Sequence, residues 1–353
     1  MKIVLLGSTG SIGTNTLDIC ERFGIEVEVL VAGNNIELLK KQIERFKPRI
    51  VVTAEPADIE APMVLSGEEG ILEALEMSEA KLVVNALVGF LGLRPTQKAL
   101  ELGKQVALAN KESLVVAGAF LDRSRIVPID SEHFGLWYLL QNSFAPKRLL
   151  ITASGGALRE WDLNKIEDAT LEEVLRHPNW RMGQKITIDS ATMVNKLFEL
   201  LEAYWLFGID RIDAMIEPSS LVHAAVEFVD GSTTLHASLA DMRLPIAYAL
   251  GVRGQKILES VDLVGKSLSF LPIDPRRYPV WSIKEELLAK PKKGVVLNAA
   301  NEAAIERFVD GSFRFGDIAR AILDAWKRFE IEPKSLEEVF AIDDEVRRYV
   351  QNL

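Results

Sequence analysis

Residues 126–134 read "IVPIDSEHF": the apolar run Ile126–Ile129 gives out onto Asp130, Ser131, Glu132 and His133. Carboxylates are depleted in strands, so two of them at the close of an apolar run are either a solvated loop or part of a cation site. On extended chain, residues two apart face the same side. Asp130 and Glu132 can then aim at one point, with Ser131 turned away or serving through its backbone or hydroxyl. Carboxylates that close repel unless a cation or a proton separates them. Hard oxygen donors suit Mg²⁺ or Mn²⁺, which keep open positions for water or substrate.

Such a pair needs a third ligand, and "HPNWRMGQKITIDSATMVNKLFE", His177 to Glu199, offers one. Ile186–Ile188 reads as a strand, with Asp189 or Ser190 capping the helix that follows. On that helix Asn195 and Glu199 are i,i+4 and Lys196 and Glu199 are i,i+3, so the three share a face. A hydroxyl, an amide and an ammonium (Ser190, Asn195, Lys196) near a helix start make a phosphate pocket. "ITASGG" adds Ser154, Gly155 and Gly156, a turn able to offer a hydroxyl and backbone N–H groups.

Taken singly, each has an ordinary reading. Lys196–Glu199 is a surface ion pair, Ser190 a cap, His177–Pro178 turn material, and Ser154 part of a Gly-Gly turn. Jointly they supply donors for one phosphate and three carboxylates for one cation. His223 and His236 fall in strand patterns and read as core or hairpin residues; His133 fits either role.

A second chemistry lies at the N-terminus. "GSTGSIG", Gly7 to Gly13, follows a strand directly and opens a helix, the context in which a glycine loop lets helix N–H groups face a pyrophosphate. The next strand ends "LVAGNN", with no acid at Gly33, Asn34 or Asn35 to hold a ribose 2′-hydroxyl, which leans toward NADP. "LANKESL" puts Asn110, Lys111 and Glu112 at another strand end, where the nicotinamide half would reach.

These groups need a scaffold. Residues 1–130 alternate β-branched runs (Ile3–Leu6, Val27–Ala32, Ile50–Thr53, Leu82–Asn85, Val106–Ala109, Ile126–Ile129) with amphipathic stretches such as "IELLKKQIERF". The pattern predicts an α/β fold with a doubly wound, Rossmann-like parallel sheet. Residues 131–255 change rhythm: "RLLITASGG" is a strand entering a glycine turn, and "VHAAVEFVDGSTTLHASLA" is a hairpin about Asp230-Gly231, giving a central α+β catalytic domain. Residues 256–284, with Pro272, Pro275 and Pro279, read as a linker, and 285–353 as a C-terminal helical domain.

Composition narrows the partners. The 353 residues are 48% hydrophobic, enough for more than one core, and the net charge of −10 argues against nucleic acid or an anionic membrane. The single cysteine, Cys20, excludes an intrachain disulfide and reads as a buried helix residue. No apolar run approaches the ~20 residues of a membrane span. "MKIVLLG" enters a strand at once, without a signal-peptide pattern. A soluble cytoplasmic protein is expected.

The blocks "GSTGSIG" (7–13), "LANKESLV" (108–115), "DSEH" (130–133), "SGG" (154–156), "HPNW-MG-KI" (177–186), "DSATM-NK" (189–196) with Glu199, "DMRLPIAYAL" (241–250) and "LNAANE" (297–302) occur in order along the chain. Together they resemble the 1-deoxy-D-xylulose 5-phosphate reductoisomerase family over essentially the whole length. The resemblance implies a homodimeric enzyme that rearranges this sugar phosphate and reduces the product with NADPH to 2-C-methyl-D-erythritol 4-phosphate, in non-mevalonate isoprenoid synthesis. It makes Asp130, Glu132 and Glu199 the ligands of a divalent metal (Mn²⁺, Mg²⁺ or Co²⁺). Ser154, Ser190, Asn195 and Lys196 become phosphate contacts, while Lys111, Ser131 and His177 line the substrate; Lys111, Glu132 and His177 carry the catalytic roles. Thr9, Gly10, Ser11, Ile12, Gly33, Asn34, Asn35, Asn110, Glu112 and Gly183 match cofactor positions, and Trp180 and Met182 a mobile flap.

Departures from the family pattern are Asn34 for a basic residue, Leu197 for a glycine and Glu217 for a histidine; "SGGALRE" also lacks the usual Pro-Phe after the glycines. Two rivals stand beside this reading. One is a metal-independent NAD(P)-dependent dehydrogenase of a small phosphorylated or carboxylated substrate; the other is a non-catalytic dinucleotide sensor.

Overall fold

A computed structural model describes residues 1–141 and 144–353. The chain divides into two compact units: Met1–Ser113, Leu121–Ser131 and Asp241–Glu259 form the first, and Leu114–Phe120, Glu132–Ala240 and Ser260–Leu353 the second.

The first unit is built on seven parallel strands: β1 (Lys2–Leu6), β2 (Glu26–Ala32), β3 (Ile50–Thr53), β4 (Val64–Ser66), β5 (Leu82–Asn85), β6 (Gln105–Leu108) and β7 (Ile126–Pro128). Their order is β4-β3-β2-β1-β5-β6-β7. Strands covered on both faces need continuous apolar runs rather than alternation. "KIVLL" and the "VLVA" end of "EVEVLVA" supply them: Ile3 to Leu6 are wholly buried, as are Val29 and Leu30, and the interrupting Glu28 is buried only with Arg49 and Ser78 as partners. Each such side chain contributes roughly 1.5–3 kcal/mol of transfer free energy against the entropy of ordering. The helix Arg243–Ala249 adds Ile246 and Ala247, and Leu250 just after it, to the same core, with Cys20 buried among them.

Chain direction through the sheet reverses at β1/β5, since β2 to β4 run outward on one side of β1 and β5 to β7 on the other. Ligands of open parallel sheets bind at the carboxyl ends of the strands at such a switch point. The Gly7–Gly13 loop leaves β1 there.

The second unit carries a four-stranded sheet from β8 (Pro146–Ala153), β9 (Ile212–Ile216), β10 (Val222–Phe228) and β11 (Thr233–Ala237), in the order β11-β10-β8-β9. The β10–β11 hairpin turns at Asp230-Gly231 as its sequence predicts, with Gly231 at φ +92°. β8 pairs parallel with β9 and antiparallel with β10. The C-terminal helices are Gly294–Val309, Phe315–Arg328 and Leu336–Gln351. The first is buried on almost every side, and Gly294 lets it approach closely: a Cβ there would lie 2.3 Å from the Val115 carbonyl oxygen. Among the described residues no helix is long and apolar enough to cross a membrane.

Three local expectations are corrected. "KITID", read as a strand at Ile186–Ile188, lies in the helix Gln184–Thr192. Its β-branched residues mimic a strand in the sequence, but Thr187 Oγ1 donates back to the Gly183 carbonyl at 2.7 Å and Lys185 pairs with Asp189 at 2.8 Å. Both contacts span four residues and exist only in a helix. Asp189 and Ser190 therefore cap nothing; they sit inside this helix, and Met193 at φ +70° separates it from the next, Val194–Phe207. Finally, β7 stops at Pro128 and a helix starts at Ser131, so Asp130 and Glu132 do not share a face of an extended strand. A carboxylate in a first helical turn is stabilised by the helix dipole, which a strand-based pattern overlooks. β4, missing from the sequence reading, is three half-buried residues long, too short for a periodic signal.

Candidate active site

In the first unit the strand ends hold the dinucleotide candidates. Gly7 has φ +86°, and a Cβ on it would stand 2.5 Å from the Ala86 carbonyl oxygen beyond β5. A Cβ on Gly13 would meet the Gly7 carbonyl oxygen at 2.2 Å. Bare backbone is thus required where the loop folds against the start of the helix Ser11–Arg22. Thr9 is half-buried, Gly10 and Ser11 are exposed, and Ile12 packs partly onto the core. After β2, Gly33, Asn34 and Asn35 are all exposed, and Asn35 Oδ1 caps the helix Ile36–Phe46 by accepting from Leu38 N at 3.2 Å.

Asn110 is buried after β6, and its amide is committed to the fold. Nδ2 donates to the Leu87 and Gly89 carbonyls at 2.9 and 2.8 Å and to Glu112 at 3.2 Å, while Oδ1 accepts from Ser113 N. Lys111, also buried, places Nζ 2.7 Å from Asp130 Oδ2. Ser131, just beyond, is 8% exposed.

In the second unit, the helix Val194–Phe207 presents Asn195, Lys196 and Glu199 together as their spacing predicts. Lys196 Nζ donates to Glu132 Oε1 at 2.8 Å and to Glu199 Oε2, and Asn195 Nδ2 donates to Glu199 Oε1 at 2.5 Å. Carboxylate oxygens of Glu132 and Glu199 lie within 4.8 Å of each other. A buried carboxylate, Glu199, and a half-buried one, Glu132, at that range require a positive charge between them, and here the ammonium provides it. His133 is fully buried, with Nε2 2.8 Å from the Glu199 carbonyl oxygen and Nδ1 3.8 Å from Glu202. It therefore backs the helix that carries Glu199.

The Ser154 turn and the His177 segment meet: Ser154 Oγ lies 2.8 Å from His177 Nε2. His177 Nδ1 accepts from the Asn179 and Trp180 backbone N–H groups at 3.2 and 3.0 Å. An imidazole nitrogen accepting twice carries no proton, so the proton sits on Nε2 and is donated to Ser154 Oγ. Ser154 Oγ also accepts from Gly156 N at 3.1 Å, which leaves its own hydrogen to donate onward. Burial, then the charge of Arg159, pushes the His177 pKa down to about 4, so the neutral ring persists at neutral pH. Gly156, at φ +70°, lies against the end of the helix holding Ser190: its Cβ would come 2.8 Å from the Ser190 carbonyl oxygen and from Ala191 Cα. Gly183 caps that helix at its other end and is exposed.

Sequence reasoning missed four contributors here. Arg159 donates to the Ser154 carbonyl at 2.5 Å, and Asn179 reaches Ser220. Asn301 holds Asp189 at 2.7 Å, and Glu217 accepts a cluster of donors. All four lay in stretches already noted (Arg159 in "SGGALRE", Asn179 in "HPNW", Asn301 in "LNAANE", Glu217 as a departure from the family pattern), but no local spacing links them to the site. His223 and His236 belong to β10 and β11, as expected, with their rings 6.1 Å apart and that of His223 6.1 Å from Trp180.

Family models described as 1-deoxy-D-xylulose 5-phosphate reductoisomerase, the C-terminal domain of that enzyme, and DXP reductoisomerase C-terminal domain match residues 3–118, 126–207 and 237–349. Proteins named 1-deoxy-D-xylulose 5-phosphate reductoisomerase are 56% identical in Nautilia profundicola and 53% in Wolinella succinogenes. The matches cover 99% of this chain and 99% and 100% of those proteins. A crystal structure of DOX-P reductoisomerase in complex with NADPH, fosmidomycin and magnesium superimposes with a TM-score of 0.90 at 32% identity, over 100% of this chain and 98% of that one. The enzyme from Zymomonas mobilis in complex with NADPH gives 0.87 at 34%, covering 99% and 98%. With three family models spanning the chain and relatives matched end to end, the chain belongs to the 1-deoxy-D-xylulose 5-phosphate reductoisomerase family.

Proposed function

We propose that this chain converts 1-deoxy-D-xylulose 5-phosphate to 2-C-methyl-D-erythritol 4-phosphate, using NADPH and a divalent cation, as the isomerising and reducing step of non-mevalonate isoprenoid synthesis. The observation that carries the reading is the pairing, in one unit, of a half-buried and a buried glutamate, Glu132 and Glu199, about a single ammonium with a hydroxyl whose hydrogen is left to donate.

Asp130, Glu132 and Glu199 are the cation ligands. The fit is chemical: their oxygens are hard donors, two of them already surround a positive charge, and Asp130 stands two residues before Glu132 in the chain. When bound, the cation supplies Lewis acidity toward substrate oxygens and NADPH supplies the hydride. Ser154, Ser190, Asn195 and Lys196 bind the phosphate, spending binding energy far from the reacting carbons to fix their geometry. His177 holds its proton on Nε2 and so aims the Ser154 hydroxyl. Lys111 and Ser131 line the substrate, Lys111 pairing with Asp130 at 2.7 Å. Trp180, carried by the turn that His177 Nδ1 organises, excludes water above the reacting group.

The bare glycine loop is a cradle that a single Cβ would fill, which suits a pyrophosphate. Thr9, Gly10, Ser11, Ile12, Gly33, Asn34, Asn35, Asn110, Glu112 and Gly183 are the NADPH positions, Asn110 acting by shaping the loop after β5. The matching division of labour puts NADPH on residues 1–130, catalysis on 131–255, a linker at 256–284 and a helical domain at 285–353. A cytoplasmic homodimer, with Mn²⁺ able to replace Mg²⁺, completes the proposal.

The test is NADPH oxidation with deoxyxylulose phosphate, with and without divalent cation, and with NADH in parallel. Chelator should abolish turnover and Mg²⁺ restore it; full activity in chelator would favour the metal-independent dehydrogenase. Glu199→Gln should lose orders of magnitude in rate while NADPH affinity holds. A near-normal rate in that variant would reject the ligand assignment.

A further inference from the structure

Glu217 is only 1% exposed, yet it is ionisable and lies outside every group assigned above. Both its oxygens are fully used. Oε1 accepts from Ser219 N at 2.9 Å and Ser219 Oγ at 2.5 Å; Oε2 accepts from Leu221 N at 2.8 Å and Val222 N at 3.1 Å. Burial works to raise its pKa, but the Ser219 hydroxyl and the backbone donors outweigh that and hold the carboxyl below its ordinary value. An ionised carboxylate therefore clamps the turn from Glu217 to Val222, a turn that includes Ser220 at φ +54°. Left-handed backbone is costly for a residue with a side chain, and the clamp is what sustains it.

The far side of that turn faces the substrate groups. The Pro218 carbonyl and Ser220 Oγ each accept from Asn179 Nδ2 at 2.8 Å, and Pro218 also receives Arg159 at 3.3 Å. Asn179 N in turn donates to His177 Nδ1, one of the two backbone contacts, with Trp180 N, that fix the imidazole tautomer. On the other flank, Glu217 N donates to the Ala153 carbonyl at 2.8 Å, one residue before Ser154. Glu217 is thus tied to both partners of the Ser154–His177 pair, through its carboxylate-clamped turn on one flank and its backbone N–H on the other.

We propose that Glu217 is a positioning residue: by clamping the 217–222 turn it anchors Asn179, and through Asn179 it holds His177 and Ser154 in the geometry that receives the substrate phosphate. The inference rests on the function proposed above, but its main test does not need turnover. Glutamine cannot accept at both ends of its amide, so Glu217→Gln releases part of the turn. Asn179→Ala cuts the relay at an exposed residue where folding is not at stake, and Ser219→Ala removes one donor from the clamp.

In NMR titrations of the free protein, the His177 midpoint should rise from about 4 toward its ordinary value in Glu217→Gln and in Asn179→Ala, by about one unit or more. In steady-state kinetics both variants should raise KM for deoxyxylulose phosphate about tenfold, the worth of one mispositioned hydrogen bond, with KM for NADPH within about twofold. The double variant should be no worse than the more damaged single one, because both act on one relay. A purely architectural role would lower thermal stability and leave the His177 midpoint and the ratio of the two KM values alone. An unmoved midpoint in Glu217→Gln overturns the proposal; should that variant not fold, an unmoved midpoint in both Ser219→Ala and Asn179→Ala does so. Absence of turnover in the unmodified protein would sink the functional reading and leave the midpoint result standing.

Discussion

Lys196 and Glu132, 64 residues apart in the chain, meet with Nζ 2.8 Å from Oε1, and the same ammonium also bonds Glu199. Removing that ammonium leaves buried Glu199 and half-buried Glu132 facing each other uncompensated. In chelator, Lys196→Ala should therefore lose about 3–5 kcal/mol of stability, the usual cost of breaking a buried pair. Added Mg²⁺ should restore much of the loss in the variant by taking the ammonium's place, while raising the melting temperature of the unmodified protein far less. Equal melting temperatures for the two proteins in chelator would show that the glutamates do not share the charge.

Gly13 tests the nucleotide loop. A Cβ 2.2 Å from the Gly7 carbonyl oxygen must push the loop away from the helix, at about 1–3 kcal/mol. Gly13→Ala should weaken NADPH binding tenfold or more by fluorescence titration. An unchanged affinity would place the pyrophosphate elsewhere.

Asn34 is exposed beyond β2 and brings no charge to a ribose phosphate. Asn34→Arg should raise the ratio of kcat/KM for NADPH over NADH about tenfold, the worth of roughly 1.4 kcal/mol from one charge-assisted contact. If the ratio stays put, the 2′ position of the ribose does not lie at Asn34.

Gly156 tests the phosphate turn. Its φ of +70° and a Cβ contact of 2.8 Å with the Ser190 carbonyl oxygen both forbid a side chain. Gly156→Ala should raise KM for deoxyxylulose phosphate at least tenfold, a displacement effect, without touching NADPH affinity. Parallel losses in both affinities would mean that the change is global.

Acid should weaken the fold in a defined window. Burial, with Arg159 for His177 and His223 for His236, lowers both histidines to about 4 from 6.5. Between those values the unfolded chain binds more protons than the folded one, so stability rises with pH and falls as pH drops from 6.5 toward 4. Melting temperatures recorded from pH 7.5 to 4.5 should show that slope, and His177→Gln should reduce it. A flat profile in the unmodified protein would contradict the buried neutral rings.

Much of the scaffold could be read in advance. "KIVLL", "EVEVLVA" and the glycine loop after β1 are local statements: short apolar runs bounded by glycine turns and alternating with amphipathic stretches read as strands of a covered sheet, and Gly7 and Gly13 stand where backbone must meet backbone. The i,i+3 and i,i+4 spacing of Asn195, Lys196 and Glu199 likewise placed them on one helical face. Local signals failed where local preference was not decisive. "KITID" has the residues of a strand, but contacts across four residues and its buried face made it a helix. Asp130 and Glu132 were noticed for a geometry they do not have, because a helix begins between them.

Residue types and short-range spacing, then, determined the kind of chemistry here: glycines for a phosphate loop, acids for a cation, hydroxyl and ammonium for a phosphate. Which acid meets which ammonium, and which nitrogen of His177 carries the proton, was decided only by the fold. Those outcomes depend on desolvation and on contacts between residues far apart in the chain: Lys196 with Glu132, Ser154 with His177, Asn179 with Ser220. A buried charge must find its partner wherever packing has put one, and no window of sequence contains that information.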